Sequence, residues 1–284
     1  MHFGNTTYEN LDLNQFALPK ISQDVLSGNR SSVPKIYIAL PKWGHTDWVG
    51  TLYPPKTREK EFLDHYARHF NCIELNATHY KIYSAEAIEK WINKTGEPDF
   101  LFCPKMYQGI THRGSLKGKD FISKEFFDSL PAFGNHLGPV YIQVSESFTP
   151  KRKEELFQFL KTLPAKYKYF LEVRHQDWFV SKEIKEELYQ NLIQANIGLV
   201  ITDTVGRRDV VHMKLTNQDA FIRFGGEGDN ELDKLRILQW KIQLQKWFEK
   251  GLETCYFFLH IQNESKAIDF ARYVQNELEE VINS

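Results

Sequence analysis

From Lys35 onward, short β-rich runs alternate with longer stretches in which apolar residues recur every three or four positions, and this alternation predicts βαβ units. The runs Ile36 to Leu40, Cys72 to Asn76, Phe100 to Lys105, Val140 to Val144, Tyr169 to Arg174, Leu199 to Asp203, Ala220 to Phe224 and Cys255 to His260 read as strands. Helical patterns cover Thr57 to Phe70, Ser84 to Lys94, Lys124 to Phe133, Pro150 to Leu163, Ser181 to Ala195, Glu231 to Lys250 and Ser265 to Glu280. Only the interval after Asp203 lacks a long helical pattern. Ser84, Thr149 (followed by Pro150) and Ser181 stand where hydroxyls accept the unpaired N–H groups of a first turn and proline has no N–H to leave unpaired.

Eight strand-plus-helix units close most naturally as a single (β/α)8 TIM-like barrel, here over residues 34–284. A doubly wound open sheet is the alternative fold, but the first strand is followed by PKWGHTDWVG, without the G-x-G-x-x-G turn of a dinucleotide site. Residues 1–33 have scattered Asn, Ser and Gly and weak periodicity. They read as an irregular N-terminal arm lying on the main fold, with Phe3, Leu11, Phe16 and Leu18 as possible anchors.

Of 284 residues, 42% are hydrophobic, enough for a large core, and the formal net charge of −1 provides no global field for nucleic acid or anionic membrane. Strong nonspecific duplex binding is therefore not expected, and an anion site must be built locally. No apolar run approaches the roughly 18 residues of a membrane span, and the N-terminus has no charged-then-apolar leader, so the expected compartment is the cytoplasm. Cys72, Cys103 and Cys255 are far apart, each inside an apolar run, and read as buried reduced thiols.

In a barrel the chemistry sits where strands end and βα loops begin. Those ends carry Glu74 and Asn76, Lys105, Gln143, Glu172 with Arg174 and His175, Asp203, Arg223 and His260. Strand side chains alternate faces, so Glu74 shares a face with Asn76, and Glu172 shares one with Phe170 and Arg174. Lys105, Arg174 and Arg223 would bring three cations to one mouth, which suits a phosphate or carboxylate; a structural ion-pair plug is the competing reading. Glu74, Glu172 and Asp203 are candidate general acids or bases. With His175 and His260 they are also candidate ligands of a divalent metal, although no H-E-x-x-H spacing is present and no cofactor is required. The loops add Trp43, Trp48, Tyr80, His112, Trp178, Arg207, Arg208 and His212, an aromatic and basic rim suited to a nucleotide-like or glycan-like ligand. Each aromatic taken singly is expected to pack beneath its loop. Gly225, Gly226 and Gly228 follow the seventh strand, where barrels often hold phosphate on backbone N–H groups.

The blocks WGHTDWVGTLYP, LDHYARHFNCIELNATHY, FLFCPKMYQGITHRGSL, LGPVYIQVSESF, LEVRHQDWF, ITDTVGRRDVVHMKLT, FIRFGG and YFFLH resemble, in order, the YecE-like family, domain of unknown function seventy-two. The resemblance covers nearly everything from Pro34 and implies a TIM-like barrel. Kinship of such barrels with the endonuclease IV and sugar-isomerase superfamily implies nucleic-acid or sugar-phosphate ligands, by analogy of fold. Positions matching the family motifs are Glu74, Asn76, Tyr80, Lys105, Thr111, His112, Gln143, Glu172, Arg174, His175, Trp178, Asp203 and Arg223. The chain departs with His79 where Phe is expected and Gly226 where relatives carry Asn, and it lacks the multi-zinc ligand pattern of endonuclease IV.

The sequence therefore predicts an anionic ligand, phosphorylated, nucleotide-like or a nucleic-acid end, at the C-terminal mouth. Glu74, Glu172, His175 and Asp203 are the candidate catalytic groups, and Asn76, Tyr80, Lys105, His112, Gln143, Arg174, Trp178 and Arg223 the candidate ligand contacts. Hydrolysis of a phosphoester or glycosidic bond leads; a sugar-phosphate isomerase and a non-catalytic metabolite or nucleic-acid binding protein are the alternatives.

Overall fold

The computed structural model describes residues 16–28, 33–96, 99–228 and 230–283. In chain order its strands and α-helices are β1 (Lys35–Ala39), α1 (Phe62–Tyr66), β2 (Cys72–Leu75), α2 (Ala77–Tyr80), α3 (Ala85–Thr95), β3 (Leu101–Pro104), α4 (Gln108–Thr111), α5 (Asp120–Ser129), β4 (Val140–Gln143), α6 (Lys153–Lys161), β5 (Tyr169–Glu172), α7 (Asp177–Val180), α8 (Lys182–Ala195), β6 (Gly198–Leu199), β7 (Ile201–Thr204), β8 (Asp219–Gly226), α9 (Glu231–Glu249), β9 (Thr254–Ile261) and α10 (Glu264–Asn283). This is an α/β fold built on parallel strand pairs. It divides into two compact units, one of residues 41–197 and one of residues 1–40 with 198–284.

In the 41–197 unit, β2 pairs with β3 and β4 with β5, setting Glu74 opposite Cys103 and Gln143 opposite Glu172. Bridges from Phe102 to Leu137 and from Lys105 to Tyr141 join β3 to the β4 strand, so the polar ends of four neighbouring strands, β2 to β5, are held in register. In the other unit the strand order is β1-β9-β8-β7. Its sheet is faced by aromatic contacts, including Phe221 on Phe258 and Trp240 edge-on to Phe257. The long β8 and β9 are buried at every position, as expected of strands covered on both faces.

Each expected strand is present, and the differences have local causes. The sixth is split at Val200, whose carbonyl accepts from His212 Nε2 at 2.9 Å. The helix expected over Thr57 to Phe70 shrinks to a 3-10 turn at Glu59–Glu61 and the five residues of α1. The helix expected from Lys124 starts earlier, at Asp120, and tightens to 3-10 geometry from Leu130, where Pro131 follows and cannot donate to the α ladder. Ser181 caps α8 by accepting from Ile184 N, whereas the Ser84 hydroxyl serves the Glu86 carboxylate instead of the helix backbone. Four-residue helices α2, α4 and α7 follow β2, β3 and β5; single turns leave no periodicity to read. All three cysteines are buried free thiols. Among the described residues no helix is long and apolar enough to cross a membrane. Of the expected arm anchors, Phe16 is buried and Leu18 half-buried, while Phe3 and Leu11 lie outside the described residues.

Candidate functional site

Lys105 ends the β3 run and is buried with its ammonium inside the unit; Nζ donates to Gln143 Oε1 at 2.8 Å and lies 5.3 Å from the centre of the Tyr141 ring. Gln143 turns its amide nitrogen the other way, donating to Glu172 Oε2 and to Tyr141 Oη, the latter at 2.7 Å. The Tyr141 hydroxyl itself donates to Glu172 Oε2. The chain of contacts thus runs from cation through amide and phenol to carboxylate. Tyr141 and Gln143 reach the same place because residues two apart on a strand share a face. Bringing Lys105, Gln143 and Glu172 together fulfils what their strand-end positions predict, and Tyr141 is an addition that sequence reading missed. In VYIQV a tyrosine looks like core, and its only signal is that it shares a face with Gln143.

Two imidazoles stand beside this chain. The His79 and His112 rings meet edge to face at 4.7 Å. His79 Nδ1 bonds to the Met106 carbonyl at 2.9 Å, which places the proton on Nδ1, and His112 Nδ1 bonds to Thr111 Oγ1 at 2.8 Å. Burial, reinforced by the Lys105 charge, lowers the His79 pKa to about 4. His112 is lowered to about 4 by burial and by the charges of Lys105 and Arg174, against the opposing pull of Glu172. Both rings are therefore neutral at neutral pH. The His79 departure from the expected Phe sets a second imidazole against the first.

Arg174 is directed to Glu146, with which Nη2 forms an ion pair; the arginine is mostly buried and the glutamate 63% exposed. Glu74 is fully buried on the neighbouring strand and accepts from Asn76 Nδ2 at 3.0 Å. Tyr80, on α2, is exposed. His175 stays within its own loop, accepting from Asp177 N at 3.2 Å and lying 3.6 Å from the Asp177 carboxylate. Trp178 is fully buried and donates its indole N–H to the Phe148 carbonyl at 2.8 Å, so its ring packs beneath the loop and presents no face to a ligand.

Asp203 and Arg223 belong to the other unit. Arg223 is fully buried in β8. Asp203 accepts from Arg208 Nη1, from Arg236 Nη2 at 2.8 Å and from Trp240 Nε1 at 2.7 Å. Burial works to raise its pKa, but the two guanidiniums outweigh that and hold it below the usual carboxylate range. A carboxylate engaged by three donors from α9 and the loop is an anchor for those elements. Arg236 continues inward to the carbonyls of Asp203 and Gly225 and to Asp233.

The glycine run after the seventh strand was expected as a phosphate loop. Two N–H groups of that turn are already used: Glu227 N and Gly228 N donate to Asp233 Oδ2 at 2.8 and 2.9 Å. A Cβ added at Gly226 would lie 2.6 Å from that same oxygen, which gives this departure from Asn its physical reason. His212, expected on the rim, is buried. As for metal, among the described residues no group of three or more His, Cys, Asp or Glu side chains is gathered as ligands.

The UPF0759 protein YecE of Escherichia coli K12 is 29% identical to this chain over 265 residues, covering 87% of this chain and 94% of that protein. A solved DUF72 family protein of Enterococcus faecalis V583 superposes with a TM-score of 0.67 at 18% identity, over 86% of this chain and 95% of that one. Another, of Thermotoga maritima MSB8, gives 0.61 at 21% identity, over 86% and 99%. At these identities the structures speak for the fold. Residues 37–283 match the pattern of the family described as protein of unknown function DUF72, and the chain belongs to that family.

Proposed function

We propose that the Lys105–Gln143–Tyr141–Glu172 chain, with Arg174 and the two neutral imidazoles, binds a phosphorylated or otherwise anionic small molecule and hydrolyses it by acid–base chemistry. The observation that carries this is geometric: the buried Lys105 ammonium donates to Gln143 Oε1 at 2.8 Å, and the same amide donates to Glu172, so a cation and a carboxylate are held within one chain of contacts. Two cations near neutral hydrogen-bonding rings favour an anion whose oxygens need both charge and donors. Glu146 is the exposed member of its pair with Arg174, so an incoming anion competes with a solvent-facing carboxylate for a mostly buried guanidinium.

Within this assignment Lys105 and Arg174 hold the anion. Glu172, oriented by Tyr141 and Gln143, takes the proton of an attacking water as the phosphoester bond or the glycosidic C–O bond breaks, and the leaving oxygen takes a proton from solvent water. His112 hydrogen-bonds the ligand in neutral form. A phosphoester or glycosidic bond is the target class, a sugar phosphate or nucleotide-like molecule the ligand class. We carry with it the closure of the strands into one (β/α)8 barrel, supported by the eight strand runs of the sequence, seven of them followed by a helical pattern.

Glu172→Gln, assayed on a panel of sugar phosphates and p-nitrophenyl phosphate with affinity followed by thermal shift, tests the enzyme assignment. Retained affinity with turnover lowered at least about 100-fold is expected of a lost proton acceptor. Binding by the wild type without turnover of any substrate overturns catalysis and leaves a receptor.

A further inference from the structure

The connection between β7 and β8 has only a 3-10 turn at Arg208–Val210 in place of a crossover helix. Its remaining backbone groups need partners, and Met213 is held at φ 57, a left-handed conformation rare outside glycine. Residues 16–28 supply the partners. The Gln23 side-chain amide donates to the Met213 carbonyl and accepts from Leu215 N at 2.9 Å, a two-point clamp of the kind an added strand provides. Seven residues earlier, Phe16 is buried with Val205 and Leu232. Arg208 lies 5.4 Å from the centre of that ring and donates to the Phe16 carbonyl at 3.1 Å. Leu18 N donates to Gln239 Oε1 on α9 at 3.1 Å, and the buried Lys214 donates to Asp24 Oδ2 at 2.8 Å.

We propose that the β7–β8 connection and the first half of α9 form a peptide-binding groove whose ligand in this chain is its own residues 16–28, docked reversibly in cis. The recognition pattern is an aromatic anchor, an amide clamp seven residues on and a carboxylate immediately after it. Phe16 is the only residue of the stretch that is buried, and the stretch contributes no strand and no α-helix to the fold. An element held by one aromatic and several polar contacts opens without unfolding the sheet beneath it. Arg208 joins this groove to Asp203, so opening also removes two of the contacts that fix Arg208.

Hydrogen exchange on the full chain, wild type against Phe16→Ala/Gln23→Ala, tests this. Exchange over residues 205–215 is expected to rise at least about tenfold, with Leu215 among the amides affected, while β8 and β9 stay protected. A labelled peptide of residues 16–28 is expected to bind the double variant and not the wild type, and to lose binding when its own Phe and Gln are replaced by Ala. Unchanged exchange at 205–215, or no peptide binding by the folded variant, overturns the proposal. If the double variant does not fold, Asp24→Asn alters only an exposed carboxylate; it is expected to raise exchange at 205–215 alone, and a uniform rise through β8 and β9 overturns reversible docking.

Discussion

Lys105 Nζ donates to Gln143 Oε1 at 2.8 Å across two neighbouring strands, and the same Gln143 side chain donates to Glu172 from its other end. One neutral amide therefore serves a buried cation and a buried carboxylate together. Replacing it with leucine, close in volume, leaves both ions short of a partner. We expect Gln143→Leu to lower stability by about 1.5–3 kcal/mol in chemical denaturation, the range for a lost hydrogen bond to a charged group. A change below about 0.5 kcal/mol, within the usual range of surface substitutions, would show that the amide is not holding either ion.

Glu146 sits on Arg174 where the proposed ligand is expected, and it is itself largely exposed. In the proposed assignment it competes with the anion for that guanidinium. Glu146→Gln should tighten phosphate binding about three- to tenfold, consistent with the small energy of an exposed pair, as measured by titration calorimetry. Weaker binding in this variant would place the anion elsewhere.

The Asp203 carboxylate faces a buried Arg236 on one side and a half-exposed Arg208 on the other. Asp203→Asn keeps the shape and removes the charge. A loss of about 3–5 kcal/mol is expected, because a buried guanidinium loses an ionised partner. Arg208→Ala should cost much less, since that side chain reaches solvent. Equal costs in the two variants would contradict the anchoring role.

His212 is buried in one tautomer: Nε2 bonds to the Val200 carbonyl, and Nδ1 accepts the Lys214 N–H at 3.1 Å. A second proton on the ring has nowhere to go. Burial lowers its pKa to about 4, with the Val200 carbonyl working in the opposite direction. The unfolded chain then binds the extra proton first as pH falls, so stability present above about pH 6.5 is lost between roughly 6.5 and 4 and levels off below that. The full shift corresponds to about 3 kcal/mol for this ring. His79 and His112 contribute in the same direction. Urea denaturation as a function of pH should show a shallower loss in His212→Asn than in the wild type, and an unchanged slope would sink the assignment.

Much of this was legible from alternation alone. The apolar runs before Glu74, Gln143 and Glu172 are strands because short runs buried along their whole length, flanked by helices, leave few other folds. The residues at their ends fall together because parallel register fixes them. What alternation could not show was which polar group would choose which partner. Asp203 and Glu172 end similar runs, yet one is surrounded by donors from α9 and the other by strand neighbours. Arg174 is expected on the strand face of Glu172, but β5 ends at Glu172 and the arginine, in the loop that follows, reaches Glu146. The glycine run offered N–H groups for an anion, and an internal carboxylate, Asp233, took them from a helix five residues on. Single-turn helices carrying His79 and Trp178, and the one that ends just before His112, are too short to leave a pattern.

If Lys105 is a buried cation held for an external anion, isothermal titration of inorganic phosphate into wild type and Lys105→Met separates the two proteins. We expect saturable binding by the wild type that weakens with added salt, and affinity at least about tenfold lower in the variant, as for loss of a charge-assisted contact of more than about 1.4 kcal/mol. Phosphate binding of equal strength in both proteins, or no binding by the wild type, would contradict it and leave the chain from Lys105 to Glu172 as a structural plug.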